Sequence, residues 1–228
     1  MKIALIGLGA IGSWLEARLD PKPVIIRRGD ALPMADVVVE VAGHGALAQY
    51  GVAALKQGSD LVITSIGALA DQALWLSLQQ AATCSKILLP AGAVAGIDAL
   101  AAARLGGLDQ VRYSSRKPPA SLSDTLPLDR ESVVFEGNAR DAALQFPKNA
   151  NVAATIALAG IGFEKTEVRI IADPALTQNV HVLEATGNFG TFTMTIAGRP
   201  LPSNPKSSSL TAMSLLRCIE NRQSAIVL

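Results

Sequence analysis

Three glycines near the start of the chain have the spacing of a phosphate-binding turn. Gly7, Gly9 and Gly12 form a G-x-G-x-x-G pattern that encloses Ala10 and Ile11, between an apolar run and a helical stretch. In that context the first glycine allows a tight turn, the second a close approach to a pyrophosphate, and the third close packing of helix on strand. The following helix N-terminus offers unpaired N–H groups to the phosphates. The pattern predicts a dinucleotide site, and the alternative is an ordinary glycine-rich turn.

The chain has two histidines, His44 and His181. Imidazole exchanges protons near neutral pH, and oxidation of an amine or alcohol by a nicotinamide needs a group that removes a proton as hydride leaves carbon. His181 is the predicted catalytic residue, with a hydrogen-bonded histidine on a sheet face as the alternative. His44 follows an apolar run and is predicted to shape the cofactor pocket.

Two lysine clusters are candidates for holding a substrate. Lys148-Asn149 and Lys206-Ser207 each combine a cation with amide or hydroxyl groups, and each is predicted to open a helix. Such a setting holds a carboxylate well, so two of them fit a small dicarboxylate. The alternative is that Asn149, Asn151 and Ser207 cap helices while the lysines are solvated.

Elements that could position these groups alternate regularly in the first part of the chain. Short, nearly continuous apolar runs alternate with helical stretches, which indicates an α/β protein with a Rossmann-type, doubly wound parallel sheet. The interval 29–35 is too short for a helix, so the second crossover is predicted to be abbreviated. Strands are predicted at 2–6, 23–26, 36–43, 60–67 and 86–90, and helices at 13–19, 44–57 and 68–82.

From residue 93 the pattern changes to polar, alternating strands mixed with helices. Strands at 180–185 and 191–196, joined by a turn at 187–190, are predicted to form an antiparallel hairpin. We therefore predict a dinucleotide-binding domain over 1–92 and a second α+β substrate and dimerisation domain over 93–205. Residues 206–228 are predicted to return to the first domain. A polar loop is expected over 201–209 and an amphipathic helix over 210–221.

Ligands of open parallel sheets bind beyond the carboxyl ends of the strands. This rule adds Gly43, His44 and Ser65 to the predicted cofactor site. Arg27-Arg28 stand at the end of the second strand, where an acidic residue would bind the ribose 2′-hydroxyl of NAD. Either the arginines receive a 2′-phosphate or they are solvated charges, so the predicted cofactor is NAD or NADP.

Composition narrows the class of protein. The net charge is +1 and only 17% of residues are charged, so neither a nucleic-acid nor a membrane partner is expected. Cys84 and Cys218 form neither a metal spacing nor a disulfide framework, and we expect them to be buried. No metal site and a cytoplasmic location are predicted.

Several stretches together resemble the L-aspartate dehydrogenase family. The most particular are the sequences FPKNANVAAT at 146–155 and NPKSSSLTAMSLLR at 204–217, and VEVAGH at 39–44 and SIGAL at 65–69 accompany the glycine turn. The resemblance implies NAD(P)-dependent oxidation of L-aspartate to iminoaspartate, which gives oxaloacetate and ammonia or feeds NAD biosynthesis. It also implies a homodimer, His181 as the active-site histidine, and cofactor contacts at Ala93 and Asn151.

The sequence departs from this family in two segments, which are shorter than expected. One lies between the second and third strands, and the other follows Arg116-Lys117-Pro118-Pro119. Two alternatives therefore stay open. One is a dihydrodipicolinate- or homoserine-type NAD(P) oxidoreductase, and the other is a protein that senses NAD(P) without turnover.

Overall fold

The fold is taken from a computed structural model. It describes residues 1–122, 129–147 and 150–227, apart from the side chains of Pro205 and Lys206. The chain divides into two compact units. The first comprises Met1–Gly92 and Thr211–Leu228, and the second Ala93–Leu210.

The first unit is built on a five-stranded sheet in the order β2-β1-β3-β4-β5. Every neighbouring pair is parallel, which confirms the predicted doubly wound α/β architecture. No helix separates β2 from β3, as the short interval between them predicts. Its elements are β1 Ile3–Ile6, α1 Ala10–Glu16, β2 Val24–Ile26, β3 Val37–Glu40, α2 His44–Lys56, β4 Asp60–Ile63, α3 Gln72–Ala81 and β5 Ile87–Leu88.

The apolar strands form the core of this unit. Leu5, Val39 and Val62 are fully buried in one hydrophobic cluster, as expected for strands covered on both faces. Helix α7, Ser209–Glu220, adds Leu215 and Ile219 to the same cluster. The last helix of the chain is therefore part of the hydrophobic core of the first unit.

The abbreviated connection after β2 is held by one tyrosine. The Tyr50 hydroxyl accepts a hydrogen bond from the Gly29 N–H at 3.2 Å and lies 3.1 Å from the Asp30 carbonyl oxygen and 3.3 Å from that of Arg27. Tyr50 is only 6% exposed, so a buried phenol on α2 replaces the missing crossover helix as the anchor for this turn.

The second unit contains a five-stranded sheet in the order β10-β9-β6-β8-β7. Strands β9 and β10 form the predicted antiparallel hairpin, whereas β6 and β8 are parallel. The elements of this unit are α4 Ile97–Gly106, β6 Leu108–Lys117, β7 Ser132–Asn138, α5 Ala139–Gln145, α6 Asn151–Ala159, β8 Glu167–Ala172, β9 Asn179–Gly187, β10 Gly190–Gly198, β11 Pro200–Leu201 and β12 Asn204–Ser208.

The predicted polar loop over 201–209 is wrong. Strands β11 and β12 form a small antiparallel hairpin there, with Pro200 opposite Ser208 and Leu201 opposite Asn204. The final helix begins only at Ser209, so Lys206-Ser207 lie in a strand and do not open a helix. Main-chain hydrogen bonds between β11 and β12 determine the structure of this stretch, and its polar composition gives no sign of them.

Two smaller expectations are also corrected. The predicted helix over 68–82 is a 3-10 helix, Ile66–Ala70, followed by α3, because the Asp71 carboxylate accepts hydrogen bonds from the Ala73 and Leu74 N–H groups and caps a new helix. Cys84 is exposed and Cys218 half-buried, so neither is a buried core thiol.

Within the described part of the chain, every helix is too short or too polar to cross a membrane.

Candidate active site

The glycine turn has the geometry that its spacing predicts. Gly7 adopts φ +100°, and a Cβ there would lie 2.8 Å from the Ala42 Cβ. A Cβ on Gly12 would lie 2.2 Å from the Gly7 carbonyl oxygen, so the start of α1 packs directly on the turn. A Cβ on Gly9 would meet nothing within 4 Å. The turn is therefore closely packed at Gly7 and Gly12 and open at Gly9, as a group approaching the backbone requires.

A cavity of about 660 Å³ lies beside this turn, where the order of strands reverses between β1 and β3. Four predicted cofactor residues line it, namely Gly7, Arg27, Gly43 and His44. Gly43 has φ +112° at the N-cap of α2, a conformation that glycine adopts readily. A switch point of an open parallel sheet is the usual location of a dinucleotide.

Glu40, the last residue of β3, holds the backbone next to this cavity and was not among the site residues predicted from the sequence. Its carboxylate is fully buried and accepts hydrogen bonds from the N–H groups of Ala42 and Gly43, both at 2.7 Å. It also accepts hydrogen bonds from the Ser65 N–H at 3.1 Å and the Ser65 hydroxyl at 3.0 Å. One carboxylate thus holds the loops after β3 and β4 together. A lone acid within an apolar strand is the signal that could have identified it.

Five other predicted cofactor residues of the first unit are not among the residues that line the cavity, namely Gly9, Ala10, Ile11, Gly12 and Ser65. Ser65 is 6% exposed, and its N–H and hydroxyl bind Glu40. Ala10 and Ile11 are the first two residues of α1, directly after the open Gly9.

Arg27 and Arg28 are both exposed and line the cavity directly after β2. Within the described part of the chain, no carboxylate lines this cavity. Asp30, two residues beyond Arg28, uses its carboxylate to accept the Arg27 N–H at 2.8 Å.

A second cavity, of about 260 Å³, lies wholly within the second unit and contains His181. Several hydroxyl and amide side chains lie in its wall, and no carboxylate is among the lining residues that the structure describes. It is lined by Pro118, Ala120, Ser121, Thr177, Gln178, Asn179, His181, Gly198, Pro200, Ser207 and Ser208.

His181 is only 5% exposed, and its Nδ1 lies 2.7 Å from the Tyr113 hydroxyl oxygen. Burial, with a smaller contribution from the positive charge of Lys117, lowers the pKa of His181 to about 4. Burial also lowers the pKa of Lys117 to about 8 and raises that of Tyr113 well above its usual range. At neutral pH His181 and Tyr113 are therefore both neutral.

Arg116 and Lys117, neighbours at the end of β6, have different surroundings. Arg116 forms ion pairs with Asp173, at 2.7 Å, and with Glu131. Lys117 is instead buried, on the strand face that carries Tyr113. Tyr113 and Lys117 are four residues apart, and this even spacing along a strand could have placed them on one face.

The structure describes only part of the two lysine clusters that were predicted to bind the substrate. Lys148 and Asn149 lie outside the described residues, as does the side chain of Lys206. Ser207 lines the His181 cavity, and its Oγ accepts a hydrogen bond from Asn204 at 3.1 Å. Ser208 lines the same cavity with a buried Oγ that has no hydrogen-bond partner within the described structure.

Two residues that the resemblance implied as cofactor contacts have different surroundings. Ala93 is 6% exposed, and Asn151 is the first residue of α6. Neither lines either of the two cavities. The N-cap of α6 is Ala150, with no side-chain cap, so the alternative that Asn151 caps this helix is wrong.

Among the residues that the structure describes, no group of three or more His, Cys, Asp or Glu side chains could hold a metal ion.

A doubly wound sheet with a glycine turn, followed by an α+β unit that encloses a buried histidine, defines an NAD(P)-dependent oxidoreductase. The family model described as "Aspartate dehydrogenase, C-terminal" matches residues 98–222, and the model "Homoserine dehydrogenase, NAD binding domain" matches residues 15–89. The first match covers more than half of the chain.

Whole-chain relatives agree with that match. The chain is 43% identical to L-aspartate dehydrogenase of a Polaromonas species over 266 residues, with 100% of both chains covered. It is 50% identical to the Ralstonia nicotianae L-aspartate dehydrogenase over 84% of this chain and 75% of that one. A crystal structure of aspartate dehydrogenase from Thermotoga maritima superposes with a TM-score of 0.85 at 31% identity, covering 100% and 99% of the two chains. The chain therefore belongs to the L-aspartate dehydrogenase family.

The Polaromonas alignment is longer than the 228 residues of this chain. This chain accordingly lacks segments that the relative contains.

Proposed function

We propose that this protein is an NAD(P)-dependent L-aspartate dehydrogenase. Its family membership supports the activity, and one structural observation carries the assignment of the site. That observation is the cavity around His181, whose described wall combines a buried imidazole with hydroxyl and amide groups.

The first unit is proposed to hold the dinucleotide. The backbone of Gly7, Gly9 and Gly12 receives the phosphates, and the opening at Gly9 fits such an approach. Arg27 faces the adenosine end, and the Gly43-His44 corner borders the same cavity. When bound, the nicotinamide ring supplies the hydride acceptor.

The second unit is proposed to hold L-aspartate. A cavity of about 260 Å³ suits a molecule of that size, and the described part of its wall carries no acid that would repel the two carboxylates. Ser207 belongs to this cavity, and Lys148, Asn149 and Lys206 complete the proposed set of carboxylate ligands. Cofactor contacts at Ala93 and Asn151 are part of the same proposal, by analogy with the family.

In the proposed reaction L-aspartate loses a hydride from Cα and a proton from its amine, which leaves iminoaspartate. Addition of water to the imine then releases oxaloacetate and ammonia, and unhydrolysed imine can feed NAD biosynthesis. His181 is proposed as the catalytic residue because, among the described residues of the cavity wall, it carries the imidazole, a group that can hydrogen-bond to the substrate as donor or acceptor.

The test uses the purified protein with a panel of amino acids and either cofactor, while absorbance of the reduced nicotinamide is followed. L-aspartate is expected to be oxidised, and His181→Ala to lower turnover by about 10²-fold or more with cofactor binding retained. Unchanged turnover in His181→Ala would remove this residue from the mechanism. Reduction of semialdehydes or cyclic imines in place of aspartate oxidation would favour the rival reductases. Tight NAD(P)H binding without any turnover would favour a sensor.

We further propose that the protein is a cytoplasmic homodimer. Strand β10 is an edge strand of nine residues, paired only with β9, and Phe189 and Met194 near it are 43% and 37% exposed. A long exposed edge with apolar side chains is usually covered by another chain. Both cysteines are free thiols, as is usual in a reducing compartment. Light scattering on the purified protein tests the dimer, and a monomeric mass would exclude it.

A further inference from the structure

The histidine of the second-unit cavity is bound to a residue on a neighbouring strand. In the pairing of β6 with β9, Ser115 lies opposite His181 and Tyr113 opposite Leu183, so Tyr113 and His181 are diagonal neighbours. Alternate residues of β6, namely Tyr113, Ser115 and Lys117, are buried on one face of the strand. The sheet register thus fixes the contact between the two rings.

The contact between Tyr113 and His181 is short and shielded from solvent. The Tyr113 hydroxyl oxygen lies 2.7 Å from His181 Nδ1, and the two rings are inclined by only 11°. Tyr113 is 1% exposed and His181 5% exposed, so water does not compete for this hydrogen bond.

The number of protons on the two rings determines which ring donates the hydrogen bond between Tyr113 and His181. Both rings are neutral near pH 7, so the pair holds one phenolic and one imidazole proton. If Nδ1 carried its own proton, the phenolic proton would need another acceptor. The Ser115 hydroxyl is close enough to the phenol to oppose part of the rise in the pKa of Tyr113, but its oxygen makes no hydrogen bond of adequate geometry within the described structure. A buried phenolic proton without an acceptor is unfavourable, so donation from the phenol to Nδ1 is the arrangement that satisfies both the phenol and Nδ1.

We propose that Tyr113 is a positioning residue that holds His181 as its Nε2–H tautomer, so that the imidazole presents a hydrogen-bond donor to the cavity. Nδ1 is occupied by the phenol, which leaves Nε2 as the ring nitrogen available to a ligand. In that tautomer His181 is not the base that removes the amine proton.

This role rests on the proposed function and deepens it. A neutral N–H donor, in a wall whose described residues include no acid, suits a carboxylate oxygen of L-aspartate. The proton released from the amine must then leave to another group or to solvent. Tyr113 never touches the substrate in this scheme and acts only through His181.

The experiment exploits the composition of the chain, which has only two histidines and two tyrosines. Protein labelled with ¹⁵N-histidine gives four ring-nitrogen signals, and His44→Asn identifies those of His181. Near pH 7 we expect a protonated Nε2 and an unprotonated Nδ1 for His181 in the wild type. In Tyr113→Phe the two signals are expected to move towards each other as the tautomers exchange, with KM for L-aspartate rising about 10-fold.

Tyr50→Phe is the matched control, because the Tyr50 hydroxyl binds backbone groups of the first unit, and it is expected to leave the His181 signals unchanged. A protonated Nδ1 in the wild type overturns the proposal, and so do signals that Tyr113→Phe does not move. The wild-type spectrum decides the tautomer even if Tyr113→Phe does not fold. It also decides the tautomer if L-aspartate is not oxidised, a result that would refute the proposed function alone.

Discussion

Glu40 offers the sharpest test of how the sequence builds the cofactor cavity. Its carboxylate accepts four hydrogen bonds, two from the loop after β3 and two from Ser65 after β4. The substitution Glu40→Gln preserves the size of the side chain but replaces one acceptor oxygen with an NH₂ group. At best the amide oxygen keeps the three bonds made by Oε1, and the NH₂ group faces the Ser65 N–H, donor against donor.

The expected cost follows from these contacts. Loss of the negative charge weakens each of the three remaining bonds by about 1 kcal/mol, and the unmatched Ser65 N–H costs about 1–3 kcal/mol more. Neutralising a fully buried carboxylate also removes its desolvation penalty, which offsets part of this loss. We expect Glu40→Gln to lower the free energy of unfolding by about 3 kcal/mol.

Urea unfolding followed by tryptophan fluorescence measures this change, because Trp14 and Trp75 are the only tryptophans and both lie in the first unit. NADH affinity is expected to fall as well, since Gly43 lines the cavity and loses its anchor. Glu220→Gln, on an exposed position at the end of α7, is the matched control and is expected to change stability by less than about 0.5 kcal/mol. A loss of less than about 0.5 kcal/mol in Glu40→Gln as well would refute the argument that the hydrogen bonds of this carboxylate stabilise the first unit.

Three further outcomes are expected. Gly12→Ala places a Cβ 2.2 Å from a backbone oxygen, so it is expected to lower the unfolding free energy by about 3 kcal/mol and to weaken NADH binding. Arg27→Ala is expected to weaken NADPH binding about 10-fold more than NADH binding if the side chain receives a 2′-phosphate. The pKa of His181 is lowered from 6.5 to about 4 in the folded state, so the unfolded chain binds more protons between these values. Stability is therefore expected to fall by about 3 kcal/mol as the pH drops through that window, and His181→Asn to remove this part of the pH dependence.

Each of these outcomes has its own control. Gly45→Ala, where a Cβ meets nothing within 4 Å, is expected to leave the urea midpoint unchanged or higher, and an equal loss in both glycine variants would contradict the packing argument. Equal weakening of NADH and NADPH in fluorescence titrations of Arg27→Ala would mean that Arg27 does not read the 2′ position. An identical loss of stability with acid in wild type and His181→Asn would show that another group titrates in that window.

The sequence by itself predicted the first unit well. Its central strands β1, β3 and β4 are buried on both faces, so apolar runs that alternate with helices identify the parallel sheet, and the spacing of Gly7, Gly9 and Gly12 identifies the turn. The same local signals predicted the β9–β10 hairpin and the absence of a helix before β3.

Tertiary structure decided what local pattern does not encode. The pairing of β11 with β12 makes a polar stretch a hairpin, because main-chain hydrogen bonds, not composition, stabilise it. Glu40 binds Ser65, which lies 25 residues further along the chain, and Tyr113 meets His181 across 68 residues. Burial of such polar groups is tolerated only where distant partners satisfy them, and strand register, which a single sequence does not specify, brings those partners together.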